Sequence, residues 1–241
     1  MKKKTVKKRL GIVLALIFVL MGAVFVYIND GYEASKAAKA ALISDEEVTV
    51  TQLENAIAFM PTEAKAGIIF YPGGKVAHEA YAPLMNAYAR EGITCILVEM
   101  PLDLAVFKMN AAEDYRYLYP DIEKWYIGGH SLGGAMAASY LEKHTDEYEG
   151  LILCAAYSTV DYSESDLQVI SMYGSNDLVL NLEKYEECKG NLPANTEEFI
   201  IEGGNHAFFG SYGEQDGDGT ATIENESQIA FAVEFTIENI R

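Results

Sequence analysis

The chain is poor in positive charge, and its basic residues are unevenly distributed. Six of the 18 lysine and arginine residues lie within residues 2–9, where no acidic residue occurs. The other 12 stand against 36 aspartate and glutamate residues, which leaves the rest of the chain with a net charge of −24. So acidic a domain repels nucleic acids and anionic lipid surfaces. The composition therefore argues against polyanionic partners, and we predict no nucleic-acid binding.

Cysteine is also scarce, and no group of residues has the spacing of a metal site. The three cysteines, Cys95, Cys154 and Cys188, are odd in number, and we interpret them as buried free thiols. The acidic run 214–220 contains Asp216 and Asp218 but lacks the twelve-residue ligand set of a calcium loop. We interpret it as a solvated loop and predict no metal or cofactor, although ion binding by the loop stays open.

The N-terminal region has the pattern of a membrane anchor. After the basic residues, Leu10 to Ile28 form a stretch of nineteen residues without a charge, which is long enough for a transmembrane helix. With the lysines on the cytoplasmic side, the rest of the chain lies outside the cell membrane. The alternative is a cleaved signal peptide and secretion. We predict an anchor segment at 1–30, a stalk at 31–46 and a folded domain at 47–241.

Strand-like and helix-like segments alternate along this domain, which is typical of the α/β class. Such alternation predicts a mainly parallel sheet with helices on both faces. A helical region is expected between the fourth strand and about Tyr119, and a closing helix from about Ser227 to Ile240. The strands are predicted at 48–50, 56–60, 66–71, 94–100, 125–127, 151–156, 167–173 and 198–201.

The stretch around Ser131 carries the strongest chemical signal. Gly129, Ser131 and Gly133 match the pattern G-x-S-x-G, with an apolar strand before it and a small-residue helix after it. In this setting the serine occupies a strained strand-to-helix turn, and free N–H groups at the helix start favour an oxyanion. We therefore predict that Ser131 is a nucleophile for acyl transfer. The neighbouring His130 lies inside the turn, and we expect its side chain to point elsewhere.

A nucleophilic serine needs a histidine to take its proton and a carboxylate to orient that histidine. His206 directly follows the last predicted strand, which puts it at the same sheet edge as Ser131. Asp177 follows a buried strand through a short glycine-containing loop and reaches that edge as well. We predict a triad of Ser131, Asp177 and His206, with Glu202 as the reserve for the carboxylate.

Three motifs in this order resemble those of α/β-hydrolases. They are Gly129-His130-Ser131-Leu132-Gly133, Gly174-Ser175-Asn176-Asp177 and Gly204-Asn205-His206. From about residue 50 to 240, the chain is similar to the small lidless group related to dienelactone hydrolases. Those enzymes use a cysteine nucleophile, so the serine here is a departure from their pattern. The resemblance implies the α/β-hydrolase fold and a hydrolase activity that needs no cofactor.

The resemblance also implies where the oxyanion is held and how the substrate enters. One donor is the N–H group of Leu132, and the other comes from the loop after the third strand, where we select Gly74 and leave Lys75 open. Only a short segment separates the strands at 151–156 and 167–173, so there is no room for a lid. We assign Tyr157 and Phe208 to the substrate-binding walls of an open site.

The sequence thus predicts a serine hydrolase that cleaves a small carboxylic ester and favours short acyl chains. Thioesterase, acyltransferase and peptidase use the same triad and stay open as alternatives. The alternative from another class is a hydrolase-like domain that only binds a ligand or partner. The sequence does not define the oligomeric state.

Overall fold

The computed structural model describes residues 30–240, together with Phe18, Val19 and Gly22. Apart from those three positions, the predicted membrane segment Leu10–Ile28 lies outside the described residues. Within the part of the chain that is described, no helix is both long and apolar enough to cross a membrane.

One eight-stranded sheet forms the centre of the domain. Its strand order is β1-β2-β4-β3-β5-β6-β7-β8. The first two strands form a hairpin that pairs antiparallel with β4, whereas β4, β3 and all later strands run parallel. The strands are β1 (Val48–Leu53), β2 (Ala56–Pro61), β3 (Ala66–Tyr71), β4 (Ile93–Val98), β5 (Trp125–His130), β6 (Gly150–Cys154), β7 (Gln168–Gly174) and β8 (Glu197–Ile201). All eight predicted strands and the mainly parallel sheet are confirmed.

The central strands of the sheet are buried on both faces and are apolar at consecutive positions, whereas the edge strands β1 and β8 are partly exposed. In β3, Ile68 and Phe70 belong to one core, whereas Ile69 and Tyr71 belong to another on the opposite face. This alternation follows from the period-two side-chain direction of a strand. The parallel strands end together at one edge, so the loops after β3, β5, β7 and β8 come close to one another.

Five α-helices and several short 3-10 turns cover the faces of the sheet in the described chain. Two helices have side-chain caps: Ser35 Oγ accepts from the Ala38 N–H, and Asn181 Oδ1 accepts from the Lys184 N–H. The α-helices are α1 (Lys36–Ala40), α2 (Ala82–Arg90), α3 (Leu132–Leu141), α4 (Leu182–Cys188) and α5 (Asn225–Asn239). The 3-10 turns are His78–Tyr81, Pro101–Asp103, Ala105–Phe107, Ala111–Asp114, Arg116–Leu118, Lys189–Asn191 and Ala207–Phe209.

The region after β4 differs from the sequence prediction. We expected a helical region up to about Tyr119, but the chain forms four separate 3-10 turns there. Leu102 and Asp103 both have positive φ angles, 54° and 52°, which interrupts any helix that starts at Pro101. Several apolar side chains of this region stay exposed, among them Val106, Phe107 and Met109.

The segment predicted as a stalk packs against the domain. Tyr32 forms a parallel β-bridge with Val76, and the Ser35 N–H donates to the Ser211 carbonyl. On α1, Ala38 is fully buried and belongs to the core. The compact unit accordingly begins at Tyr32. The short alanine-rich helix gave no sign of this docking because its small side chains suit a close contact as well as a free spacer.

We predict that a charge at Ala38 destabilises the domain. Ala38→Glu places a carboxylate in the core, and we expect the free energy of unfolding to fall by at least about 2 kcal/mol. The matched control is Ala37→Glu, because Ala37 is exposed on the same helix. Urea denaturation of the two variants measures the difference. Equal stability of the variants would mean that residues 36–40 are a free spacer.

Candidate active site

Ser131 occupies the turn between β5 and α3 with a strained backbone. Its φ and ψ angles are 52° and −122°, outside the regions that non-glycine residues normally occupy. The Ser131 N–H donates to the Cys154 carbonyl at 2.9 Å, and the Ser131 carbonyl accepts from the Ala135 N–H at 3.1 Å. The strained serine is therefore held by hydrogen bonds to β6 and to the first turn of α3.

Glycines around Ser131 allow β3, β5 and α3 to approach closely. A Cβ atom at Gly129 would lie 2.6 Å from the Tyr71 carbonyl oxygen. At Gly133 it would lie 2.3 Å from the carbonyl oxygens of both Tyr71 and Pro72. Such distances leave no space for a side chain. The glycines of the motif are thus required by backbone contacts.

Asp177 and His206 form a buried pair at the ends of β7 and β8. His206 Nδ1 lies 2.8 Å from Asp177 Oδ2, and the two residues are only 1% and 2% exposed. The other carboxylate oxygen, Oδ1, accepts from the N–H groups of Val179 at 2.9 Å and Leu180 at 2.8 Å. The reserve carboxylate, Glu202, is exposed. The structure therefore pairs His206 with Asp177.

Ser131 and His206 line the same cavity of about 270 Å³. Most of its other walls are apolar or small, and Tyr157 contributes to them as predicted. Phe208 does not line this cavity; it is half-buried and packs against the core. Larger surface depressions lie elsewhere, but none of those described combines a serine with a histidine. The remaining lining residues are Leu132, Ala135, Ala155, Ala156, Val179, Leu180 and Asn181.

Backbone hydrogen bonds distinguish between the two predicted oxyanion donors on the loop after β3. The Lys75 N–H donates to the Asp103 carbonyl at 2.9 Å, so it is already engaged. Within the described chain, the N–H groups of Gly74 and Leu132 donate to no other residue. A Cβ atom at Gly74 would lie 3.0 Å from Leu132 Cδ2, which shows that the two residues adjoin. The geometry favours Gly74 over Lys75.

A second buried histidine adjoins this site and was not predicted to take part in it. The ring of His130 lies 4.5 Å from that of His206, centroid to centroid. His130 Nδ1 lies 2.7 Å from the Tyr81 hydroxyl, which accepts from the Gly73 N–H at 3.0 Å. We assign the hydroxyl proton to the Tyr81–His130 bond, because the oxygen already accepts from Gly73. His130 and Tyr81 thus connect the loop after β3 to the neighbourhood of His206.

Burial lowers the pKa of His130 well below its usual 6.5, and the adjacent His206 lowers it further. Its Nε2 atom has no hydrogen bond of normal geometry among the described residues, although the nearby His206 backbone raises the pKa to a smaller extent. The His130 ring is therefore expected to be neutral where it packs against His206. The position of His130 next to Ser131 was visible in the sequence, whereas nothing marked Tyr81.

The remaining candidates for chemistry are the three cysteines and clusters of metal-ligating side chains. Cys95, Cys154 and Cys188 are all free and buried, as predicted. Across residues 30–240, no group of three or more histidine, cysteine, aspartate or glutamate residues is arranged to hold a metal ion.

The fold agrees with the comparison with known families. The model of the alpha/beta hydrolase family matches residues 67–230. The chain belongs to the alpha/beta hydrolase family. It is therefore a hydrolase, and the short connection between β6 and β7 makes it a lidless one. No curated protein sequence matches the chain.

Solved structures share the fold of this hydrolase at low sequence identity. Dienelactone hydrolase from Anabaena variabilis has a TM-score of 0.60 and 12% identity, over 81% of this chain and all of that chain. Est1E from Butyrivibrio proteoclasticus has a TM-score of 0.58 and 14% identity, over 80% and 99% of the two chains. A predicted CIB-like hydrolase from Thermoplasma acidophilum has a TM-score of 0.55 and 16% identity, over 80% of this chain and 98% of that chain. These similarities establish the fold.

We predict that the hydrolase does not tolerate a methyl group at Gly133. Gly133→Ala forces backbone at β3 or α3 to move, and overpacking of this kind lowers the free energy of unfolding by about 1–3 kcal/mol. Gly190→Ala is the control, because nothing lies within 4 Å of a Cβ atom there. Urea denaturation of both variants gives the comparison. Equal stabilities would contradict the contacts described for Gly133.

We also predict that His130 makes the stability of the hydrolase fall at acid pH. Because its pKa is lowered on folding, the unfolded chain takes up a proton below about pH 6.5 that the folded chain does not. The free energy of unfolding then decreases with falling pH, by up to about 1.4 kcal/mol per pH unit for this group.

The His130→Asn variant lacks this proton uptake and keeps an acceptor near the Tyr81 hydroxyl. Urea denaturation between pH 7.5 and 5 should therefore give a shallower pH dependence for the variant than for the wild type. Parallel curves for the two proteins would show that His130 is not a buried neutral group.

Proposed function

We propose that this protein is a serine hydrolase that cleaves carboxylic esters through an acyl-enzyme intermediate. The observation that carries the proposal is the cavity shared by Ser131 and His206, with Asp177 bound to the far side of His206. A base and its orienting carboxylate beside a strained serine are the groups that acyl transfer requires.

The proposed reaction begins when Ser131 Oγ attacks the carbonyl carbon of the ester. His206 accepts the hydroxyl proton at Nε2, because Nδ1 is held by Asp177. The N–H groups of Leu132 and Gly74 donate to the oxygen that becomes negative in the tetrahedral intermediate. The bond from carbon to the alcohol oxygen then breaks, and His206 gives its proton to the leaving alcohol. Water releases the acyl group from Ser131 by the same steps.

The walls of the cavity support a preference for short acyl chains. A volume of about 270 Å³ is small for a ligand site, and Ala155, Ala156 and Leu180 give it an apolar lining without charge. A short acyl group fits within these walls, whereas a long one extends into solvent. We place Tyr157 at the substrate and leave Phe208 out of the site.

We further propose that the hydrolase domain is held at the outer side of the cell membrane by an N-terminal helix. The support is the sequence pattern of residues 2–9 and Leu10–Ile28, basic and then uncharged. Secretion after cleavage of this segment is the alternative outcome, and the mass of the mature protein distinguishes the two.

The predicted activity is hydrolysis of p-nitrophenyl esters that declines from acetate and butyrate to decanoate. In Ser131→Ala the loss of the nucleophile should lower kcat by at least about 10³-fold. Ser139→Ala is the matched control, because Ser139 lies on α3 with its hydroxyl donated to the Ala135 carbonyl. The measurement uses full-length protein in detergent.

Two results would contradict the ester hydrolase. One is an activity that survives in Ser131→Ala, which would exclude this serine as the nucleophile. The other is that folded wild-type protein cleaves no ester. This result would favour thioester cleavage, amide cleavage or acyl transfer over ester hydrolysis.

A further inference from the structure

The acidic loop between His206 and α5 is in contact with the active-site loops. In the sequence, Asp216 and Asp218 look alike, two carboxylates separated by a glycine in a polar stretch. In the structure Asp216 is exposed, and its carboxylate has no hydrogen-bond partner in the described chain. Asp218 is half-buried and uses both of its carboxylate oxygens.

The hydrogen bonds of Asp218 connect the two loops that carry Asp177 and His206. Oδ2 accepts from the Ala207 N–H at 2.9 Å, and Ala207 directly follows His206. Oδ1 accepts from the Leu178 N–H at 3.3 Å, and Leu178 directly follows Asp177. The same Oδ1 accepts from the Gly219 N–H at 2.8 Å. One carboxylate therefore joins the backbones beside both members of the buried pair.

The backbone next to Asp218 adds contacts to the same two loops. Asn205 Nδ2 donates to the Gly219 carbonyl at 2.8 Å, and Asn176 Nδ2 donates to the Thr220 carbonyl at 3.0 Å. A Cβ atom at Gly219 would lie 1.8 Å from the Asn176 carbonyl oxygen, so only glycine allows this approach. Residues 218–220 thus lie directly on the residues that precede Asp177 and His206.

We propose that Asp218 is a positioning residue of the active site, which holds the loops of Asp177 and His206 at the separation their hydrogen bond requires. This inference rests on the proposed function for its catalytic consequence. Hydrogen bonds from N–H groups to a carboxylate are stronger than those to a neutral acceptor. A shift of about 1 Å in a catalytic group can lower the rate by about 10²-fold.

Asparagine cannot replace Asp218 in this arrangement. Its single carbonyl oxygen can accept from Ala207 or from Leu178, and its NH₂ group then faces the N–H group of the other. One loop loses its attachment, while the volume of the side chain is unchanged. Asp218→Asn therefore changes the connection between the loops and little else.

The first measurement compares Asp218→Asn with Asp216→Asn, which removes the same charge from the same loop. We expect kcat for p-nitrophenyl acetate to fall by about 10–100-fold in Asp218→Asn, with KM within about threefold of wild type. Asp216→Asn should keep the wild-type kcat. Equal kcat values in all three proteins, or equal losses in both variants, would overturn the proposal.

The second measurement does not depend on turnover of any ester. The imidazole N–H proton shared between His206 and Asp177 gives a low-field proton NMR signal, which is assigned by its loss in Asp177→Asn. We expect this signal in wild type and Asp216→Asn, and expect it broadened or lost in folded Asp218→Asn. An unchanged signal in Asp218→Asn would overturn the proposal, even if the wild type cleaves no ester. If the wild type is inert and the signal is lost only in Asp218→Asn, the ester reaction fails and the positioning of the pair stands.

Discussion

The close approach of β3, β5 and α3 around Ser131 is the constraint on which the rest of the site depends. Carbonyl oxygens of Tyr71 and Pro72 lie where a side chain at Gly133 would be. This packing holds Ser131 at a positive φ angle and directs the turn toward the edge where the parallel strands end. The same approach brings Gly74 of the β3 loop beside Leu132. The proposed nucleophile and the proposed oxyanion donors thus follow from one backbone arrangement.

The second determinant is a buried electrostatic cluster beside this turn. Both carboxylate oxygens of Asp177 are hydrogen-bonded, to two backbone N–H groups and to His206, so this buried polar group has its partners. His130 packs against the other side of His206 and stays neutral because burial lowers its pKa. The cluster therefore contains one carboxylate, Asp177, and one histidine that is hydrogen-bonded to it, His206. Water has little access to this pair, which strengthens their interaction.

The sequence predicted the parts of the site that depend on local chain pattern. Ser131, Asp177 and His206 each follow an apolar strand, and parallel strands place such residues at one edge. The eight strands were also predictable from local pattern, because most of them are short apolar runs bounded by turn residues. The predicted oxyanion donors, Leu132 and Gly74, came from the family resemblance. The structure favours Gly74 over Lys75 because the Lys75 N–H already donates to the Asp103 carbonyl.

Residues that act through distant contacts were not predictable. Tyr81 reaches His130 across 49 positions, and Asp218 reaches Leu178 across 40, so no local pattern marks either one. The docking of residues 32–40 is likewise tertiary, because it depends on a β-bridge to Val76 and on a buried alanine. Between Pro101 and Leu118, the chain forms four 3-10 turns instead of the expected helix. The local sequence did not reveal the positive φ angles of Leu102 and Asp103, which interrupt a helix there. Phe208 lies outside the cavity that Ser131 and His206 line, in a 3-10 turn whose side-chain directions the local sequence does not reveal.

Covalent labelling with a fluorophosphonate, followed by peptide mass spectrometry, tests directly whether Ser131 is an activated nucleophile. We expect one adduct, on Ser131. We also expect His206→Ala to slow the formation of this adduct by at least about 10²-fold, because the base is gone. An adduct on another residue would show that Ser131 is not the nucleophile, and labelling of Ser131 at the same rate with and without His206 would show that His206 does not activate it.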